Sequence, residues 1–119
     1  MADTIAWLPE PEEHNYPAAQ SYLELLFPPE RVAGLVRGLR TAAVSQFKAK
    51  DIFRASGLSL LGVSNSHVEK DRQKIASGRK LSPILLVRGE SRLIIADGYH
   101  RMCAVYTQDE DALIPCKIV

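Results

Sequence analysis

The residues best suited to chemistry lie together in Asp97-Gly98-Tyr99-His100-Arg101. A carboxylate, an imidazole and a guanidinium this close could move a proton and hold an anion. The flanking residues indicate how they are presented. Leu93, Ile94 and Ile95 form a short apolar run that suits a buried strand. Asp97-Gly98 then breaks the run, since Asp bonds its own backbone and Gly accepts positive φ. From Tyr99 onward the residues favour a helix, with Met102, Val105 and Tyr106 at helical spacing. A strand, a tight turn and a helix start leave several backbone N–H groups unpaired at one spot. His100 and Arg101 fall in the first helical turn, where free N–H groups, helix dipole and guanidinium all favour a negative group.

The expectation is therefore an anion or phosphate site formed by Gly98, Tyr99, His100 and Arg101, with Asp97 and His100 nearest any proton transfer. Arg79 or Lys80, ahead of the next apolar strand, are candidates for a second cation. Each residue also has a plainer role. Asp97 would serve as a turn and helix-cap residue, and Arg101 would pair with Glu90 or Asp97. His100 would bond a backbone group, and Arg79 and Lys80 would sit in a solvated loop.

A chain of 119 residues is large enough for one core without disulfide or metal staples. The net charge of +1 argues against a broad DNA-binding surface, which needs an excess of Lys and Arg on one face. That reading would return if Arg31, Arg37, Arg40, Lys48, Lys50 and Arg54 gathered on one side. No apolar run approaches a membrane span, and Met1-Ala-Asp-Thr-Ile lacks the layout of a signal peptide, so a cytoplasmic protein is expected. Cys103 and Cys116 make neither a disulfide framework nor a zinc set, and both read as small core residues in a reducing compartment. No metal site is expected from the residues alone.

Residues 1–17, with Pro9, Pro11 and Pro17 among acids, suit an extended arm whose Trp7 and Leu8 could dock on the domain. Ala18 to Phe27 fits a short helix. A second helix opens at Pro29 and carries Val32, Leu35, Val36 and Leu39 as a core-facing stripe. Ala43 to Ala49 could be a first strand, and Lys50 to Ala55 a helix closed by Gly57. Leu58 to Val63 is apolar and ambiguous, and Ser64-Asn65 reads as a loop. Ser66-x-x-Glu69 reads as a capping box for a helix with Val68, Ile75 and Ala76 inside, stopped by Gly78. Its run Glu69-Lys70-Asp71-Arg72 reads as a solvated face. Ile84 to Val87 and Arg92 to Ala96 form a hairpin, and Ile114 to Val119 a last strand, which Pro115 assigns to an edge or a strand start. The fold class is α/β (α+β): a single small domain with a mixed sheet over 43–119, preceded by an arm and helical extension over 1–42.

From Leu81 to Val119 the pattern resembles the ParB/sulfiredoxin-like superfamily. The shared pieces are Ser82-Pro83-Ile84-Leu85-Leu86-Val87, Leu93-Ile94-Ile95, the Asp97-Gly98-Tyr99-His100-Arg101 turn and Ile114-Pro115-Cys116-Lys117-Ile118-Val119. The turn is similar to the Gly-Gly-Cys-His-Arg turn of sulfiredoxin and to the Asp-Gly-x-His-Arg form of free-serine kinases on the same fold. The resemblance implies binding of nucleotide phosphates, from ATP or CTP with Mg²⁺, at Gly98, His100 and Arg101. It also admits phosphoryl transfer, for which Asp51, Glu69 and Asp71 are possible acidic bases beside Asp97. The departures limit it. Tyr99 stands where sulfiredoxin has its reactive cysteine, so sulfinate reduction is not expected. Cys103, one turn on, reads as core. The helix-turn-helix that follows this module in ParB proteins has no counterpart here, and a nuclease would need more carboxylates than Asp97. The expected function is binding of a nucleotide or phosphorylated ligand. The alternative is a non-enzymatic oligomerising module in which Leu23, Leu25, Leu26, Leu35 and Leu39 pair with a second copy and the phosphate site is vestigial.

Overall fold

Strand β2 (Ile84–Arg88) organises the molecule, because it is buried on both faces. Its side chains alternate: Ile84 and Leu86 enter one core cluster, Leu85 and Val87 the other. A strand covered on both sides has no polar face, which is why its sequence is continuously apolar. A computed structural model describes residues 4–61 and 65–119 of the chain. The expectations for Gly62, Val63 and Ser64 lie outside the described residues. Around β2 the elements follow in the order α1 (Asn15–Leu23), α2 (Pro29–Thr41), β1 (Ser45–Lys48), α3 (Ala49–Ser56), α4 (Ser66–Ala76), β2, β3 (Leu93–Asp97), α5 (Tyr99–Gln108) and β4 (Leu113–Ile118).

The sheet order is β1-β4-β2-β3, antiparallel except for the central parallel pair β4-β2. This is an α+β domain with a mixed sheet between two helical layers. Helices α3, α4 and α5 cover one face through Ile52, Val68, Ile75, Met102 and Val105. Helices α1 and α2 cover the other through Tyr16, Ala19, Leu23, Val32, Val36 and Leu39. Each of the larger of these side chains contributes about 1.5–3 kcal/mol on burial.

The sequence pattern and the observed elements differ in four places. Helix α1 starts at Asn15 and ends at Leu23, earlier at both ends than the stretch from Ala18 to Phe27. Pro17 falls in its first turn, where a missing N–H breaks no helical bond. Strand β4 is not an edge strand: it lies between β1 and β2, and Pro115 is accommodated because the β2 ladder starts only at Cys116. The cap of α4 is Asn65, whose Oδ1 accepts from the N–H groups of His67 and Val68, so Ser66 is inside the helix rather than at its cap. Of the leucines expected to pair with a second copy, Leu23 and Leu39 are fully buried within the domain, while Leu25 is 81% exposed.

The N-terminal arm docks on the domain. Leu8 N–H donates to the Leu81 carbonyl at 2.8 Å, and Leu81 N–H to the Ala6 carbonyl at 2.9 Å, forming an isolated parallel bridge between Trp7 and Leu81. Glu12 N–H donates to Ser82 Oγ, which in turn donates to Asn15 Oδ1. The six basic residues considered for DNA are not on one face. Arg31, Arg37 and Arg40 belong to α2, and Lys50 and Arg54 to α3 on the opposite layer. Lys48 and Lys50 both pair with Asp111.

Lys117, in β4, points into the α1/α2 side and is almost fully buried. Its ammonium donates to the Arg40 carbonyl at 3.0 Å, satisfying an orphan acceptor in the last turn of α2, and lies 3.7 Å from Glu10. Arg40 and Lys117 both lie over the ring of Tyr16, at 4.4 and 6.0 Å from its centroid. Loss of a charged hydrogen bond together with its buried stem predicts that Lys117→Ala lowers stability by about 2–3 kcal/mol. Urea denaturation measures this, and a change within a few tenths of a kcal/mol would contradict it.

Candidate functional site

The site begins where β3 ends. Ile95 packs in the core under α4 and α5, and Ile94 and Ala96 in the core under α1 and α2. The β2–β3 register then shifts between Leu85 and Leu86, and Asp97 lines the cleft that faces α4. Gly98 follows at φ +109°, and a Cβ there would lie 2.3 Å from Ile84 Cγ2 and 2.7 Å from Ile84 Cβ. Only a residue without a side chain lets the chain leave β3 this close to β2 and enter α5 at once. The first α-helical bond of α5 runs from Met102 N–H to the Gly98 carbonyl. No side chain caps the helix, so the N–H groups of Tyr99, His100 and Arg101 stay available among the described residues.

Asp97 does not cap α5. Its Oδ2 accepts instead from Arg101 Nη2 at 2.9 Å, one turn on. Both side chains are mostly buried, which fixes the guanidinium beside the turn. Arg101 Nε is buried and has no hydrogen-bond partner among the described residues.

Helix α4 forms the opposing wall. His67, Lys70, Asp71 and Lys74 follow the i, i+3, i+4, i+7 spacing of a single helical stripe, and that stripe faces the β3–α5 turn. Together with Asp97, Gly98, His100 and Arg101 they line a polar cleft of about 310 Å³. The rings of His67 and His100, each from the first turn of its helix, lie 4.9 Å apart. On the far side of the turn a second, mainly apolar groove is lined by Tyr22, Leu58, Ile95 and Tyr99, and it shares Asp97, Gly98 and His100 with the polar cleft.

Burial governs the titration of the cleft. Asp71 is only 9% exposed, and desolvation raises its carboxyl above the usual range although Lys74, Arg101, His100 and His67 pull the other way. His100 is lowered, first by burial and then by His67, so its imidazole is neutral at pH 7. The Tyr99 phenol is raised by burial and by Cys103, and its hydroxyl donates to the Ser59 carbonyl. Burial also raises both thiols, with Cys116 pushed up to about 11. Neither cysteine touches solvent, which leaves Cys103 unsuited to be a nucleophile.

The residues expected at the site are therefore mostly together. Asp97, Gly98, His100 and Arg101 line the polar cleft, and Tyr99 lines the adjoining groove. Lys80 does not join them: it is exposed and lines neither cleft. The cations brought to the turn are Lys70, within the Glu69–Arg72 run that reads as a solvated face, and Lys74, just beyond it, while Arg79 borders an adjacent hollow with both lysines. Asp51 lies on α3, away from the cleft, and Glu69 pairs with Arg72 at 3.5 Å. No group of three or more His, Cys, Asp or Glu placed to hold a metal ion occurs among the described residues. No described helix is long and apolar enough to cross a membrane. Comparison with protein-family models, curated proteins and solved structures found no match for the chain.

Two predictions follow from this geometry. Gly98→Ala meets both positive-φ strain and overlap with Ile84, and should lower stability by about 2–5 kcal/mol. A variant as stable as the parent would mean that the turn relaxes freely. Asp71 has a raised pKa in the folded state, so its ionisation opposes folding; the cost is absent below the ordinary value of 3.8 and complete above the raised one. Asp71→Asn should therefore melt higher than the parent at pH 7, with the gap closing as pH falls toward 3.8. A lower melting temperature at pH 7 would show that the carboxylate is held by attraction instead.

Proposed function

We propose that this protein binds a nucleotide or another phosphorylated ligand between α4 and the β3–α5 turn. The observation that carries this reading is the junction of two unlike clefts at Asp97, Gly98 and His100. One offers Lys70, Lys74, Arg101 and the free N–H groups of α5, a set suited to phosphate oxygens. The other offers Tyr22, Leu58 and Tyr99, a set suited to the flat or apolar body of the same ligand. The resemblance of the turn to those of the ParB/sulfiredoxin-like superfamily supports the same assignment, with ATP or CTP as the first candidates. Mg²⁺ would accompany the phosphates and neutralise part of their charge. For phosphoryl transfer, His100 is neutral and so able to accept a proton, while Asp97 holds Arg101 in position.

The alternative of an oligomerising module is weakened by the burial of Leu23 and Leu39, and it would have to use Tyr22, Leu25 and Leu26. The ligand reading is tested by calorimetric titration with ATP, CTP and pyrophosphate, with and without Mg²⁺. The double variant Lys70→Ala, Lys74→Ala should weaken binding at least about tenfold, because each charged hydrogen bond contributes about 1.5–3 kcal/mol. Lys80→Ala should leave it unchanged. Equal loss in both variants would reduce the site to general surface charge, and no binding by the parent would overturn the reading.

A further inference from the structure

Asp71 is misplaced for a simple anion site. A carboxylate only accepts hydrogen bonds, and this one accepts none from the described residues. Its nearest cation is Lys74, at 3.9 Å, which is longer than a charged hydrogen bond. It is nevertheless 9% exposed and lines the cleft beside Lys70, Lys74 and Arg101. A fully ionised oxyanion drawn to those cations would set its lone pairs against a buried carboxylate. The other charged or titratable groups facing it are Asp97, already paired with Arg101, and the two imidazoles of His67 and His100.

We infer that Asp71 makes the cleft select oxyanions that bring a proton, that is, orthophosphate or the terminal group of a phosphomonoester, and reject sulfate. The inference rests on the phosphorylated-ligand reading and specifies it. A phosphomonoester monoanion keeps one P–OH, and its second pKa, about 6, leaves that form accessible near neutrality; orthophosphate keeps at least one P–OH as monoanion or dianion. Its hydroxyl donates to Asp71 while its other oxygens accept from Lys70, Lys74, Arg101 and the α5 N–H groups. One proton lies between ligand and carboxylate, and the carboxylate is paired. Sulfate has no proton at this pH and leaves the carboxylate facing an unpaired oxygen. Charge alone gives phosphate no advantage, since sulfate is always doubly charged and orthophosphate near pH 7 is a mixture of singly and doubly charged forms. The same logic excludes an internal phosphodiester and directs the end of a phosphate chain, rather than its middle, to Asp71.

Isothermal titration of the full chain with sodium phosphate and with sodium sulfate, at pH 7 and matched ionic strength, tests this. The parent should bind phosphate at least about tenfold more tightly than sulfate, the value of one charged hydrogen bond gained against one left unmade. Asp71→Asn, whose amide donates as well as accepts, should bring the two within about threefold, mainly by gaining sulfate affinity. Asp71→Ser serves as the second variant and should also lose the preference. Equal affinities in the parent would overturn the selection while leaving the phosphate site standing. A preference that survives both substitutions would remove Asp71 from it. Binding of neither anion by the parent or the Asn variant would overturn the phosphate reading itself, and the selection with it.

Discussion

The contact between Gly98 and Ile84 is the constraint on which the rest depends. At φ +109°, with the site of a Cβ lying 2.3 Å from Ile84 Cγ2, the backbone of the β3–α5 turn rests directly on the central strand. That approach does three things at once. It ends β3 so that Asp97 faces α4. It starts α5 without a capping side chain, leaving the N–H groups of Tyr99, His100 and Arg101 free. It brings Arg101 back over the turn, where Asp97 fixes it at 2.9 Å. A larger residue would push the turn from the sheet, and anion donors, guanidinium and acid would separate together.

The opposing wall illustrates a second constraint. Helix α4 buries Val68 and Ile75 as an ordinary amphipathic helix does, but it also buries Asp71, while His67, Lys70 and Lys74 stay exposed as they line the cleft facing α5. Burying the Asp71 carboxylate, and most of Asp97 and Arg101, in a helix-helix groove is costly unless they are paired or meet a ligand. Within the domain, pairing is incomplete: Asp71 has only a long contact to Lys74, and Arg101 Nε has no partner among the described residues. The polar cleft thus departs from the otherwise consistent packing of the two cores, as functional sites commonly do.

Much of this could be read from the residues. The apolar run of Leu93, Ile94 and Ile95, the Asp97-Gly98 break and the helix formers after it define a strand, turn and helix by local chemistry alone. The stripe of α2 and the doubly buried β2 follow equally directly from periodicity and composition. What escaped depends on tertiary contact. Pro115 is an edge signal only if every rung around it must be filled, and here the β2 ladder starts one residue later. Lys80 is near the site in sequence but not in space, whereas Lys70 and Lys74 reach it from another helix. Glu69-Lys70-Asp71-Arg72 looks like a solvated run because its signs alternate. The available clue was Asp71, which falls at i+3 from Val68 and i−4 from Ile75 and so shares the buried side of α4, with His67, Lys70 and Lys74 beside it.

The central claim is that phosphate oxygens sit on the N-terminus of α5 opposite the α4 lysines. Its most direct test is a titration of ¹⁵N-labelled protein with inorganic phosphate, following backbone amides by two-dimensional NMR. The account predicts that the amides of Tyr99, His100 and Arg101 shift together, with one saturating dissociation constant shared by residues 67–74. Saturable shifts confined to other parts of the chain, or no saturable shift at all, would contradict it.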